Sequence, residues 1–180
     1  MENTMYSKLN LIKVVLWATI VFSALGLIYH TRWFVAFLVS SPQFVVPADQ
    51  TPVVWFVTQI FSNIIFLYVG YLLIRLFKKY QQTGFFDEDS LKVFNGVIIS
   101  CLGLAVLGAV QVIANNFSDV HIGEWKTIES SSNLLFRSFT KLLVFESPQT
   151  MYFLLAIILW SVKQFVTRAL FIKTENESFI

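Results

Sequence analysis

The stretch Val93–Ala114 reads VFNGVIISCLGLAVLGAVQVIA, an uncharged run of 22 residues. A helix needs about 20 mostly apolar residues to cross the hydrocarbon layer of a membrane. Outward along the chain, three more stretches meet that requirement: about Leu9–Tyr29, Pro52–Ile74 and Met151–Ile172. The sequence therefore predicts an all-α integral membrane protein with four transmembrane helices.

The composition of the whole chain agrees with a membrane location. Hydrophobic residues make up 56% of the 180 residues, and charged residues make up 13%, about half the share in a soluble domain. The net charge of +2 is too small to indicate direct binding of nucleic acid. The one cysteine, Cys101, lies in an apolar run and cannot form an internal disulfide, so we expect it to be a packing residue. We predict a single transmembrane domain over residues 1–180, folded as an antiparallel four-helix bundle.

Two of the four apolar stretches contain basic residues. The first has only Lys13, near its start. Its apolar core is longer than that of a signal peptide, and no small-residue cleavage motif follows, so we expect it to be retained. The fourth carries Lys163 and Arg168, so its membrane-buried part should end near Val162, with the rest reaching the aqueous interface.

The distribution of lysine and arginine predicts the orientation. With both termini in the cytoplasm, nine of the thirteen basic residues face the cytoplasm, whereas the reverse orientation leaves four there. Short cytoplasmic loops carry an excess of Lys and Arg. We therefore predict a multi-pass protein with both termini inside.

Each of the two outer connections contains apolar residues. In the first, the run Trp33–Val39 is too apolar to lie free in water, so it either extends the first helix or lies at the membrane interface. The second connection, Asn115–Gln149, predicts an amphipathic helix that either covers the bundle or lines a ligand cavity. Its apolar positions recur at helical spacing: Leu134, Leu135, Phe139, Leu142 and Leu143.

Local signals define the inner connection and one helix surface. Asp87 is a good N-cap for the third helix, and Phe86 and Leu91 have the spacing of a hydrophobic staple, so the acidic run has a structural explanation. Small residues on the third helix predict close helix packing at Gly96, Ser100 and Gly103.

The chain offers little catalytic chemistry. It contains no glycine-rich phosphate loop and no nucleophile motif, and no Asp or Glu lies inside a predicted span, so we expect neither an enzyme nor a proton-coupled transporter. A metal site is conceivable but not expected at His30, Asp49, Asp119, His121 and Glu124. No cofactor is expected. Polar residues within the spans either bond between helices or line a binding cleft: Gln59, Asn63, Asn95, Ser100 and Gln111.

Two phrases carry a resemblance to a known family. They are TGFFDEDSLK at Thr83–Lys92 and LFIKTENESFI at Leu170–Ile180. Together with the number and order of helices, they resemble the bacterial four-helix membrane proteins called "domain of unknown function 2975". That resemblance implies a bacterial inner membrane. It also implies a non-catalytic protein that regulates or anchors a small cytoplasmic helix-turn-helix regulator.

Such a partner would meet the inner loop and the C-terminal tail. The predicted partner-binding residues are Glu175, Glu177 and Phe179 in the tail and Lys78 and Lys79 in the inner loop. The two glutamates make the tail acidic, which suits a basic DNA-binding surface. Two alternatives stay open. One is a binder or transporter of small molecules or lipids that uses the outer loops and the polar residues between helices. The other is a subunit of a larger complex.

Overall fold

The computed structural model describes residues 2–40, 51–83, 88–118, 132–133, 136, 140 and 151–178. Four long helices account for nearly all of them: α1 (Glu2–Ser40), α2 (Pro52–Thr83), α3 (Glu88–Ser118) and α4 (Met151–Ser178). Each contains a segment long and apolar enough to cross a membrane. Over these described ranges, the prediction of an all-helical protein with four such helices is confirmed, and α2 and α4 start at the predicted residues.

The first helix is longer than predicted. It was expected to end near Tyr29, but it continues to Ser40, and its apolar segment covers Leu11–Val39. Of the two alternatives for Trp33–Val39, the structure shows the helix extension. The reason is local, because neither glycine nor proline occurs between Gly26 and Ser40 to end the helix. His30, expected in a loop, is therefore a helical residue inside an apolar segment.

The contacts between α1 and α2 run in opposite order along the two helices. Ile20 packs against Gly70, and Gly26 packs against Asn63. Further along, the rings of Phe34 and Phe56 have centroids 5.7 Å apart. The two helices therefore run in opposite directions.

The contacts between α2 and α3 also run in opposite order. Gly103 faces Ile65, whereas Gly96 faces Leu72. At one end the Thr51 N–H donates to Asn115 Oδ1 at 3.2 Å. Ion pairs join the other end of this hairpin.

The fourth helix begins about halfway along α3. Tyr152, in its first turn, has its ring centroid 6.0 Å from that of Phe66 in the middle of α2. Tyr152 and Leu159 also pack against one buried apolar cluster, whose members are Leu72, Val93, Val97, Cys101 and Ala156. Since these α3 members extend from Cys101 toward the start of α3, α4 runs from the middle of α3 toward that end.

The halfway start gives α4 a large overhang. Cys101 lies 13 residues after the first residue of α3, whereas Tyr152 lies 26 residues before the last residue of α4. At about 1.5 Å per residue, roughly 20 Å of α4 extends beyond the start of α3. About 13 Å of it also extends beyond the end of α2 at Thr83.

Two predicted loop features lie largely outside the described residues. The amphipathic helix of the second outer connection is described only at residues 132–133, 136 and 140, which are helical. The proposed cap Asp87 and staple residue Phe86 also fall outside. The third helix begins at Glu88, the position directly after the proposed cap.

Candidate functional site

Basic side chains collect at one end of the helices. Lys13 precedes Ile20 by seven residues and Phe77 follows Gly70 by seven, so the contact of Ile20 with Gly70 makes Lys13 level with Phe77. By the same reasoning Lys92, four residues before Gly96, is level with Leu76, four residues after Leu72. We call this the basic end; its described basic side chains are Lys13, Arg75, Lys78, Lys79, Lys92 and Lys163.

Asp89 joins α2 to α3 at the basic end. Its carboxylate accepts from Lys79 Nζ at 2.7 Å and from Lys92 Nζ at 2.8 Å. The carboxylate is about half exposed, and exposed pairs of this kind add little to stability. The geometry still matters, because it places Lys79, a predicted partner-binding residue, against Asp89. Lys78 is exposed.

The predicted acidic tail belongs to a helix. The described helix continues through Glu175 and Glu177 to Ser178, rather than ending at Ile172. The Glu175 side chain is exposed, and Phe179 lies outside the described residues. The overhang of α4 also exposes large apolar side chains, with Phe165 at 76% and Phe171 at 61% of full exposure.

The predicted packing residues of α3 all face α2 or lie buried. A Cβ built on Gly96 would lie 2.6 Å from Leu72 Cδ1, and one on Gly103 would lie 3.5 Å from Ile65 Cδ1. Ser100 is buried, and its hydroxyl donates to the Gly96 carbonyl at 2.8 Å. Gly96 is therefore in tighter contact than Gly103.

Two tight glycine contacts between α1 and α2 are missing from the sequence-based prediction. A Cβ on Gly70 would lie 2.6 Å from Ile20 Cγ1, and one on Gly26 would lie 2.5 Å from Asn63 Oδ1. The sequence gives a weak signal for them, since both glycines lie in apolar helices where glycine is otherwise unfavourable.

A polar group lies between α1 and α2 near the end opposite the basic end. His30 Nδ1 lies 2.7 Å from the Gly26 carbonyl oxygen, which only accepts, so Nδ1 carries a proton and donates. Asn63 Nδ2 lies 3.4 Å from that nitrogen, and two donors do not bond; it donates instead to the Gln59 carbonyl at 2.7 Å. In neutral histidine this leaves Nε2 as an acceptor, and the part of the chain described here supplies it with no donor.

Aromatic rings surround this histidine. The centroid of His30 lies 5.3 Å from that of Tyr29 and 5.5 Å from that of Trp55, both edge to face. The Arg32 guanidinium lies 6.0 Å from the ring centre of Trp33. The arrangement could hold a small molecule that presents a hydrogen-bond donor beside an apolar body.

The interior of the helix pairs contains further polar side chains. Thr58 and Ser62 on α2 and Gln111 and Asn116 on α3 are buried. The hydroxyl oxygen of Ser62 has no hydrogen-bond partner among the described atoms. The exposed Asn95 lies on the outer surface of α3 and takes no part in this interior.

Metal chemistry finds no support in the described ranges. No group of three or more His, Cys, Asp or Glu side chains lies together there. Four of the conceivable ligands, Asp49, Asp119, His121 and Glu124, lie outside those ranges. Cys101 is buried in the apolar cluster around Ala156.

Comparisons with protein-family models, with curated proteins and with solved structures found no match for this chain. The resemblance to the four-helix family therefore stays a prediction.

Proposed function

We propose that the protein is a non-catalytic, multi-pass protein of a bacterial inner membrane that anchors or regulates a small cytoplasmic helix-turn-helix regulator. Its helices form an antiparallel bundle with both termini in the cytoplasm, and it belongs to the family that the two sequence phrases resemble. The basic end is the cytoplasmic end in this proposal.

The spacing of charged and aromatic residues supports that placement. On α1, Lys13 and Arg32 lie 19 residues apart, about 28 Å along the helix, close to the hydrocarbon thickness of about 30 Å. The exposed Trp17 lies near the basic end, and Trp33 and Trp55 lie near the opposite end, as expected for interface residues. Because the basic end carries most of the described lysines and arginines, the positive-inside rule assigns it to the cytoplasm.

The overhang of α4 is the observation that carries the functional proposal. If Lys163 marks the cytoplasmic surface, the residues from Tyr152 to Val162 occupy only the inner half of the membrane. The helix then continues about 22 Å into the cytoplasm, to Ser178. A helix that extends past the start of α3 and the end of α2 suits a soluble partner. Its last turns carry two glutamates, which would pair with a basic protein surface.

A truncation tests the anchor. Deleting Thr174–Ile180 should leave membrane insertion and the unfolding temperature in detergent unchanged, because α4 packs on the buried cluster through Tyr152, Ala156 and Leu159, near its start. The same deletion should release the partner into the soluble fraction. The measurement is the share of a co-purifying cytoplasmic protein in the membrane fraction at low salt.

A charge variant and a salt titration sharpen the test. Glu175→Gln with Glu177→Gln should weaken retention as the deletion does, and added salt should weaken it further in the full chain. Retention that survives the deletion counts against the α4 end. If the full chain retains no cytoplasmic protein at low salt, the anchor proposal fails.

The His30 group supports a second candidate, a binder of small molecules or lipids. The supporting observation is that no described residue donates to His30 Nε2, which lies beside the rings of Tyr29 and Trp55 inside an apolar segment, since ionisable groups in such segments often mark binding sites. Mass spectrometry of the purified chain should then find a bound molecule that His30→Gln loses and Asn95→Ala keeps. If both variants retain the molecule equally, His30 is not its site.

A further inference from the structure

The outer surface of α2 carries aromatic residues followed by basic residues in one stripe. Tyr68, Tyr71, Arg75 and Lys78 follow one another at spacings of three or four residues, which places them on one face of the helix. All four are exposed, with Tyr68 at 51% and Tyr71 at 58%. Toward the basic end, this face therefore changes from apolar and aromatic to cationic.

The neighbouring surface of α3 continues the stripe. Lys92 is exposed, and Ile99, two turns further along the same face, is 67% exposed. Between these two positions the Tyr68 hydroxyl lies 3.5 Å from where a Cβ of Gly96 would be. Tyr68 therefore lies against α3, with its hydroxyl about one turn from the level of Lys92.

The first helix adds a cation on the other side of α2. Lys13 precedes Ile20 by two turns, so it shares the face of α1 that packs against Gly70. It is exposed and level with Phe77. Four cations from three helices therefore lie at one level. Among the side chains described at that level, the one carboxylate is Asp89, which pairs with Lys79 and Lys92.

We infer that this surface binds an anionic phospholipid. Its phosphate is held by Arg75 and Lys78, with Lys13 and Lys92 on either side, and the Tyr68 hydroxyl donates to its glycerol or ester oxygens. Tyr71 and Ile99 contact its acyl chains. We call these six residues the lipid face.

The apolar part of the lipid face explains why a lipid fits better than a soluble anion. A free phosphate would use the cations alone and would leave the exposed aromatic and aliphatic surface beside them uncovered. A phospholipid covers both parts at once, because its charge and its chains follow one another in the same order as the stripe. Cations beside a membrane surface attract anionic lipids in this way. The inference requires a bilayer at the basic end, but neither the orientation nor the cytoplasmic partner.

Lipid binding to the full chain in detergent tests the inference. Phosphatidylglycerol and phosphatidylcholine with identical acyl chains are titrated, and their affinities are measured by native mass spectrometry. The full chain should prefer phosphatidylglycerol. Arg75→Gln with Lys78→Gln should lower its affinity by about fivefold for each cation, or about 25-fold together. Tyr68→Phe should weaken both lipids alike.

A matched pair on α4 provides the control. Lys163→Gln with Arg168→Gln removes the same charge from a helix outside the lipid face, and it should change the affinity for phosphatidylglycerol by much less. If both double variants lost affinity for phosphatidylglycerol equally, net charge alone would explain the loss, and the site would be overturned. Equal affinity for the two lipids would overturn it as well. Displacement of the lipid by millimolar inorganic phosphate would show an anion site rather than a lipid site.

Discussion

At the scale of single residues, glycine sets how closely the helices approach. The space beside Gly70 is filled by Ile20 Cγ1, an atom next to the branch point of that side chain, which cannot move without a change of rotamer. A Cβ built on Gly103 would lie at ordinary contact distance from Ile65 Cδ1, the far end of that side chain. The two glycines therefore differ in what a single methyl group would cost.

The same substitution at both positions tests this difference. Gly70→Ala should destabilise the protein by about 1–3 kcal/mol, the usual cost of overpacking, despite the better helix propensity of alanine. Gly103→Ala should be neutral or slightly stabilising, whereas the branched Gly103→Ile should cost more. The measurement is the unfolding midpoint in detergent. Equal effects of the two alanines would show that α1 and α2 do not meet at Ile20.

Residue-scale contacts were only partly predictable from the sequence. Gly96 and Ser100 were found because small residues at helical spacing form a pattern within one helix. Gly70 and the ion pairs of Asp89 were missed, because they depend on which residue of a neighbouring helix lies opposite. The first helix was predicted to end near Tyr29, which placed His30 in the outer connection, whereas the helix continues through Trp33–Val39 to Ser40.

At the scale of helices, the offset of α4 is the main departure from a regular four-helix bundle. Its apolar segment, Met151–Ile172, is long enough to span a membrane by itself. Packed as it is, with Tyr152 beside Phe66, it cannot share its midpoint with α3. Sequence predicted where α2 and α4 begin, since proline and the onset of an apolar run mark those positions. The offset depends on packing, and no periodicity within α4 could reveal it.

The native Cys101 allows the offset to be measured. Tyr152→Cys should cross-link efficiently to Cys101 under mild oxidation, because residue 152 packs against the cluster that contains Cys101. Val166→Cys is the matched control, since it lies 14 residues, or about four turns, further along the same face. If α3 and α4 instead spanned the membrane level with each other, Cys101 would lie within about one turn of residue 166 and about three turns from residue 152. Preferential cross-linking of Val166→Cys would then contradict the packing described here.

At the scale of the whole molecule, the helices define two chemically different ends. The basic end holds the α2–α3 connection, the overhang of α4 and the lipid face, whereas the opposite end holds the aromatic group around His30. The proposed anchor needs the basic end in the cytoplasm, where a regulator can reach α4. The lipid face needs only a bilayer surface at that level. Orientation is therefore the claim on which the functional account depends most.

A reporter that is active only in the cytoplasm measures orientation directly. Fused after Ile180 or inserted at Gln82, it should be active, because Gln82 lies in the last turn of α2 on the basic side and Ile180 follows the end of α4. Inserted at Ser130, in the connection between α3 and α4, it should be silent. Activity at Ser130 together with silence after Ile180 would place the α4 end outside the cytoplasm and contradict the proposed function.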